Sequence, residues 1–133
     1  MQEKVFLNDK LVDVERAHVS VRDSGLLYGA GLFETMRSHN GVVFRLEDHL
    51  DRLLSSATAL SIHHAYDREF LRQAVNKVLA ANGLADARLR LTLTNGPIAE
   101  TVEQAPPTLL VTATSLQGYP SEYYQTGVMV VLC

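Results

Sequence analysis

The chain has 133 residues, the length of one ordinary domain, and its 47% hydrophobic and 20% charged residues are typical of a globular protein. A formal net charge of −3, with no basic run, argues against a nucleic-acid surface. The sequence has no run of about 18 apolar residues, which predicts no transmembrane helix, and its start lacks the apolar region of a signal peptide. The single cysteine, Cys133, allows no internal disulfide and fits a reducing cytoplasm.

Turn signals and apolar alternation predict short strands in the first third of the chain. Residues 4–7 and 11–14 flank a polar turn, which predicts a hairpin. Residues 18–21 predict a short strand that leads into a glycine-rich segment. Asn40-Gly41 is a strong short hairpin signal and separates two further predicted strands.

Two helices are predicted in the middle of the chain. Over residues 45–60, apolar side chains recur at the spacing of one helix face. Asp67 is the predicted N-cap of a second helix over residues 68–81. Asn82-Gly83 tolerate the left-handed conformation that ends many helices. The apolar positions of the first helix are Leu46, Leu50, Leu53, Leu54, Ala57 and Leu60.

The last third of the chain predicts strands again. Residues 87–94 alternate between leucine and polar residues, and residues 108–116 form another predicted strand. Residues 127–133 read as a third, buried strand. Strands, two helices and strands again are the order of an α+β domain over residues 1–133. Since natural termini usually end in polar tails, we expect the chain to be a piece of a longer protein.

Three features could carry chemistry, and each has an ordinary structural alternative. The segment DSGLLYGAGLFET, residues 23–35, lacks the glycine patterns of nucleotide sites, and it forms either a site or a tight connection that only glycine fits. Arg52 falls opposite the leucine side of its helix, and it is either a solvated arginine or an anchor for a phosphate. Arg88 and Arg90 share a strand face with two threonines, and this face meets either solvent or a carboxylate.

The histidines do not predict a metal site. Zinc needs three or four ligands at set spacings, and none of the five histidines stands in such a pattern. His49 lies at the edge of the apolar face of the first helix, so we expect a packed, hydrogen-bonded structural histidine. No serine occurs in the G-x-S-x-G pattern of hydrolases.

Residues 19–60 resemble the opening motif of the class IV aminotransferases, the fold-type IV pyridoxal-phosphate enzymes. This family includes branched-chain aminotransferases, D-amino-acid aminotransferases and aminodeoxychorismate lyases. Residues 61–133 fit the family more loosely. The resemblance implies the family's N-terminal domain, in which an antiparallel sheet packs against two helices. The matching positions are, in order, Asp23, Gly25, Tyr28-Gly29, Gly31, Phe33-Glu34, Arg37, Gly41, Leu46, His49 and Arg52-Leu53.

The resemblance implies roles for four residues. Arg52 matches the arginine that holds the phosphate of pyridoxal 5′-phosphate. Tyr28 and Phe33 match aromatic positions of the substrate pocket, and Arg90 matches an arginine near the substrate carboxylate. The implied substrates are an amino acid and a 2-oxo acid, and the implied assembly is a homodimer whose subunits help to build each other's pockets.

The substrate within the family stays open. Branched-chain members carry Tyr-x-Arg where this chain has Arg88-Leu89-Arg90. D-amino-acid members carry Thr-Arg-Gly where this chain has Thr94-Asn95-Gly96. The sequence therefore departs from both patterns.

The lysine that the family's chemistry needs has no match in this chain. In the family, a lysine of the second domain bonds the cofactor and moves the proton. Lys4, Lys10 and Lys77 stand in other contexts. We therefore expect no catalytic residue here, and we expect the N-terminal half of a two-domain enzyme. Two hypotheses stay open: amino transfer or lyase chemistry in the parent protein, and a non-catalytic module that dimerises or binds a ligand.

Overall fold

The computed structural model describes residues 3–98 and 105–132, so the prediction for Cys133 lies outside the described residues. The fold is α+β, as predicted, and six strands form one antiparallel sheet in the order β2-β1-β6-β5-β3-β4. The strands are β1 Lys4–Leu7, β2 Lys10–Asp13, β3 Gly31–His39, β4 Val42–Val43, β5 Ala87–Thr94 and β6 Thr108–Ser115. The helices are α1 Ser24–Tyr28, α2 Leu46–Ala59, α3 Arg68–Ala81 and α4 Ser121–Thr126, with a short 3-10 turn at Val14–Arg16.

Two long helices cover one face of the sheet, which we call the helix face. Leucine and valine from the central strands pack there against the apolar sides of α2 and α3 and form the core. The predicted helices are confirmed: Asp67 caps α3 by accepting a hydrogen bond from the amide of Phe70 at 2.7 Å. Fully buried core residues include Leu50, Leu53, Leu71, Leu89, Leu91, Leu93, Leu109 and Val111.

Both predicted hairpins are confirmed. Strands β1 and β2 pair directly, one residue earlier in β2 than the sequence indicated. At the second hairpin, Asn40 and Gly41 have φ values of 49° and 78°. Two consecutive left-handed residues give the turn whose twist matches that of paired strands. This turn lets β3 and β4 pair at Ser38 and His39.

Two predicted strands are wrong. Residues 18–21 form no strand, and Val19 and Val21 are exposed. Residues 127–132 form neither a strand nor a buried element, and α4 precedes them instead. In both segments the β-branched residues find no strand to pair with among the described residues. A preference for strand expresses packing against neighbours more than an intrinsic backbone tendency, so these residues stay irregular.

Candidate functional site

A cavity of about 410 Å³ lies on the other face of the sheet, which we call the open face. Its walls are formed by the glycine-rich segment, by the first residues of β3 and β6, and by the C-terminal part of β5. Leu26 and Leu110 contribute apolar surface to the walls, together with Phe33 and Arg90. The cavity thus combines an apolar lining with one permanent positive charge.

Phe33 and Arg90 form one unit in this cavity. The guanidinium carbon of Arg90 lies 3.6 Å from the centroid of the Phe33 ring, which is a cation–π contact. The strand register explains it, because Phe33 pairs with Thr92 and Arg90 pairs with Thr35 on the neighbouring strand. The two residues are therefore diagonal neighbours on the open face. The stacked ring leaves the donors of the guanidinium available for a carboxylate.

The glycine-rich segment is a tight structure rather than a flexible loop. Asp23 caps the short helix α1, and Gly29 ends it in the left-handed conformation with φ 67°. A Cβ on Gly25 would lie 2.4 Å from Cγ2 of Thr94, so only glycine lets α1 approach β5 this closely. The structural interpretation of this segment is therefore confirmed, and the same backbone forms a wall of the cavity. Its interpretation as a site stays a prediction.

Asp23 ties this segment to the ends of two strands. Its carboxylate is 1% exposed and accepts hydrogen bonds from the Gly25 amide at 2.8 Å and from the Thr94 and Thr108 hydroxyls at 2.9 and 2.6 Å. Thr94 and Thr108 are register partners on β5 and β6. The sequence match contained Asp23, but no local pattern indicates threonine partners 71 and 85 residues away.

Arg52 lies on the helix face of the sheet. It projects from α2 and holds Glu34 with two hydrogen bonds: Nε donates to Oε1 at 2.7 Å, and Nη2 donates to Oε2. The Arg52 side chain is 66% exposed and the Glu34 side chain only 5%. The pair therefore fixes an exposed guanidinium on a buried carboxylate, and Arg52 keeps further N–H donors for another acceptor.

His49 completes this cluster. Its Nδ1 lies 2.7 Å from Oε2 of Glu34, which confirms the predicted packed and hydrogen-bonded histidine. Burial works to raise the pKa of the Glu34 carboxyl, but the hydrogen bonds from Arg52 and His49 outweigh it and hold the pKa below its ordinary value. Glu34 is therefore ionised at neutral pH and orients both side chains.

The structure brings two of the four predicted site residues together. Phe33 and Arg90 share the cavity. Arg52 lies across β3 from them, because Phe33 and Glu34 are consecutive and point to opposite faces. Tyr28 ends α1 with 75% of its surface exposed and does not line the cavity. The roles assigned to these four residues stay predictions.

The edge of β3 separates Arg52 from the cavity. Among the described residues, β4 pairs only with Ser38 and His39, and the Phe44 amide donates to the Arg37 carbonyl at 2.9 Å. No strand lies beside β3 from Gly31 to Met36 on that side in this part of the chain. Arg52 and Phe33 flank this uncovered edge from opposite faces.

Lysines are absent from this region. The three lysines of the sequence lie elsewhere: Lys4 pairs with Asp13, Lys10 belongs to the first hairpin, and Lys77 is exposed on α3. Within residues 3–98 and 105–132, no three histidine, cysteine or acidic side chains converge as a metal site would require. None of the helices in this part of the chain is both long and apolar enough to cross a membrane.

Residues 31–132 match the family model of the class IV amino-transferases, and the chain belongs to that family. A putative branched-chain-amino-acid aminotransferase of Methanocaldococcus jannaschii is 47% identical over 93 residues, which are 70% of this chain and 32% of that protein.

Two solved structures of the family resemble the fold. The T.th. branched-chain amino acid aminotransferase with pyridoxamine 5′-phosphate has a TM-score of 0.81 and 26% identity, over 92% of this chain and 42% of that one. The 4-amino-4-deoxychorismate lyase of Pseudomonas aeruginosa has a TM-score of 0.74 and 31% identity, over 93% and 44%. The chain thus spans less than half the length of each of these proteins.

Proposed function

We propose that this chain is the N-terminal domain of a pyridoxal-phosphate-dependent aminotransferase that moves an amino group from an amino acid to a 2-oxo acid. The observation that carries the proposal is the exposed guanidinium of Arg52, held on buried Glu34 beside the uncovered edge of β3. Across that edge, Phe33 and Arg90 line the cavity. Arg52, which would bind a phosphate, and Arg90, which would bind a carboxylate, thus lie on opposite faces of the sheet beside β3.

The residues present fit the phosphate end of the cofactor. Arg52 would hold the phosphate with the donors that Glu34 leaves unused, and a guanidinium is charged at every relevant pH. When bound, the cofactor acts as an electron sink for the bond that breaks at the amino acid's α-carbon. The T.th. relative has pyridoxamine 5′-phosphate in its solved structure, which supports this choice of cofactor.

The cavity residues would hold the substrate. Arg90 is suited to bind the substrate carboxylate, since Phe33 fixes its guanidinium plane. The apolar part of the wall favours an aliphatic side chain. Tyr28 would reach a pocket only as part of a larger assembly, which agrees with the homodimer that the resemblance implies. The homodimer and the cytoplasmic location stay predictions.

The amine that bonds the cofactor has to come from outside this chain. None of the three lysines lines the cavity or the edge of β3. This supports the expectation that a second domain supplies the lysine. The same observation is also expected for the alternative, a non-catalytic module that binds a ligand or a second copy, so it does not distinguish the two.

Lyase chemistry is the second enzymatic candidate. The similarity to the Pseudomonas aeruginosa lyase covers 93% of this chain at 31% identity, which is comparable to the 26% identity with the T.th. aminotransferase over 92% of the chain. Both chemistries use the same cofactor in this family, so the proposed role of Arg52 is common to them.

A hybrid enzyme tests the proposal. The 93-residue segment of this chain that matches the Methanocaldococcus jannaschii protein replaces its counterpart in that protein. The purified hybrid is assayed for amino transfer from branched-chain amino acids to 2-oxo acids. Turnover of 4-amino-4-deoxychorismate instead would assign lyase chemistry. A folded hybrid with neither activity, beside an active unmodified relative, would favour the non-catalytic module. Reading the coding DNA downstream of codon 133 for an in-frame lysine is an independent check.

A further inference from the structure

We propose that Asp23 is a positioning residue that sets the shape of the cavity by holding the glycine-rich segment against the ends of β5 and β6. The segment is fixed at both of its ends. The Ser24 amide donates to the Gly96 carbonyl at 2.8 Å, and the Asn95 amide donates to the Ala30 carbonyl at 3.0 Å. Between them, the side chain of Asp23 is the link that reaches both strands at once.

The chemistry of the three donors explains why a carboxylate stands here. The hydroxyls of Thr94 and Thr108 each donate a hydrogen bond to Oδ2 of Asp23, and the Gly25 amide donates one to Oδ1. An asparagine has one acceptor oxygen and an NH2 group that only donates, so it cannot accept from all three donors as the two carboxylate oxygens do. Among the described residues, no cation forms an ion pair with Asp23.

Burying a charge without a cation is costly unless hydrogen bonds replace its hydration. A neutral side chain could fill the space at lower cost but could not accept from all three donors. The Asp23 carboxylate lines the cavity together with Gly25, Thr94 and Thr108. We therefore infer that its role is to fix the shape of this cavity. Its three bonds define where α1 lies, and α1 carries Leu26 into the cavity wall.

The test compares two variants of the 133-residue chain. Asp23→Asn removes an acceptor at the cavity. Ser38→Ala is the matched control, because Ser38 is also fully buried and links two backbone groups, donating to the Ala85 carbonyl and accepting from the Ala87 amide. Ser38 lies on the helix face at the opposite end of β3, so it affects stability without touching the cavity.

The first readout is amide hydrogen exchange. In Asp23→Asn, the amides of Ser24, Leu27 and Ala30 should exchange at least about tenfold faster, as expected for the loss of a hydrogen bond to a charged group. The amides of α3, far from the cavity, should exchange no faster than the change in global stability between the variant and the wild type requires. In Ser38→Ala, the three segment amides should change no more than the rest of the chain. Equal changes in both variants, or none in Asp23→Asn, would overturn the proposal.

The second readout rests on the proposed function. The probe is 4-methylpentanoate, whose aliphatic tail and carboxylate fit the apolar wall and Arg90. Its dissociation constant, measured by NMR titration, should rise about tenfold in Asp23→Asn and stay within about twofold in Ser38→Ala. If the wild-type chain does not bind the probe, the proposed function of the cavity is contradicted, and amide exchange alone decides the role of Asp23.

Two conservative substitutions at Thr108 provide a rescue experiment. Thr108→Val removes one hydroxyl donor to Asp23, and Thr108→Ser keeps it. We expect Val to reproduce the faster exchange at the segment amides and Ser to restore slow exchange. Slow exchange in Thr108→Val with fast exchange in Thr108→Ser would show that methyl packing, rather than the bond to Asp23, holds the segment, and would contradict the proposal. Equal exchange rates in the two variants would contradict it as well, because the hydroxyl would then have no effect.

Discussion

The helix face and the open face of the sheet are built from the same alternating strands, yet they are stabilised in different ways. On the helix face, leucine and valine pack against α2 and α3, and the buried carboxylate of Glu34 has partners in Arg52 and His49. On the open face, Arg88 and Arg90 stand among threonines beside a cavity. One face therefore carries much of the stability of the domain, whereas the other presents polar groups beside a cavity.

The largest expected effect comes from shortening a leucine on the helix face, compared with the same change on the open face. Leu91→Ala should lower the free energy of unfolding by about 2–5 kcal/mol, because it opens a space in a fully buried core position. Leu110→Ala, on the neighbouring strand but facing the cavity, should lose less than about 2 kcal/mol, since its side chain is only partly buried. Urea denaturation measures both. Equal losses would contradict the distinction between the faces.

A smaller effect is expected at the buried carboxylate. Glu34→Gln should cost about 1–3 kcal/mol at neutral pH, because one uncharged acceptor oxygen and an N–H donor replace the two carboxylate oxygens that accept from Arg52 and His49. The pKa of Glu34 is lowered in the folded state, so its contribution is fully present above its ordinary pKa of 4.5 and is lost as the pH falls through the folded value. The stability difference between the wild type and the variant should therefore shrink below about pH 4.5.

Glu47→Gln is the control for this pH series. Its carboxylate also has a lowered pKa, through the hydrogen bond from Arg72, but it is exposed on the surface of α2. An exposed pair contributes little to stability, because solvent screens the two charges. A loss at Glu47 as large as the loss at Glu34, or a Glu34 effect that does not change with pH, would argue against a buried anchor.

The smallest expected effect has the opposite sign. Arg37 and Arg88 face each other directly across β3 and β5 on the open face. Like charges in that position destabilise a sheet, so Arg88→Thr should raise the free energy of unfolding by about 0.2–1 kcal/mol. About 1 M salt should abolish the gain by screening the pair. A loss of stability at low salt would indicate that Arg88 has a stabilising role that the register does not explain.

Much of the fold could be predicted because local signals and tertiary packing agree. The apolar spacing of α2, the Asp67 cap of α3 and the Asn40-Gly41 turn are each specified within a few residues of sequence. Residues 127–132 show the limit of such signals, since their β-branched side chains have no described strand to join. The same residue types form a strand in β6, where neighbouring strands are present on both sides.

The candidate site was predictable in its residues and not in its arrangement. The sequence motif contained Phe33, Glu34 and Arg52, but only the alternation of β3 and the position of α2 show that Arg52 meets Glu34 on one face while Phe33 lies on the other. The contact between Phe33 and Arg90 depends on the register of β3 and β5, which are separated in the sequence by two helices. Such contacts follow from tertiary structure alone.

The affinity for pyridoxal 5′-phosphate tests the central claim most directly. In the hybrid enzyme, Arg52→Ala should weaken cofactor binding about tenfold to a hundredfold, which corresponds to the loss of a charge-assisted hydrogen bond. The control is Arg68→Ala, which removes an exposed arginine of the neighbouring helix that pairs with Asp51. We predict an unchanged affinity for the control. An unchanged affinity in a folded Arg52→Ala hybrid would contradict the account of Arg52 as the phosphate anchor.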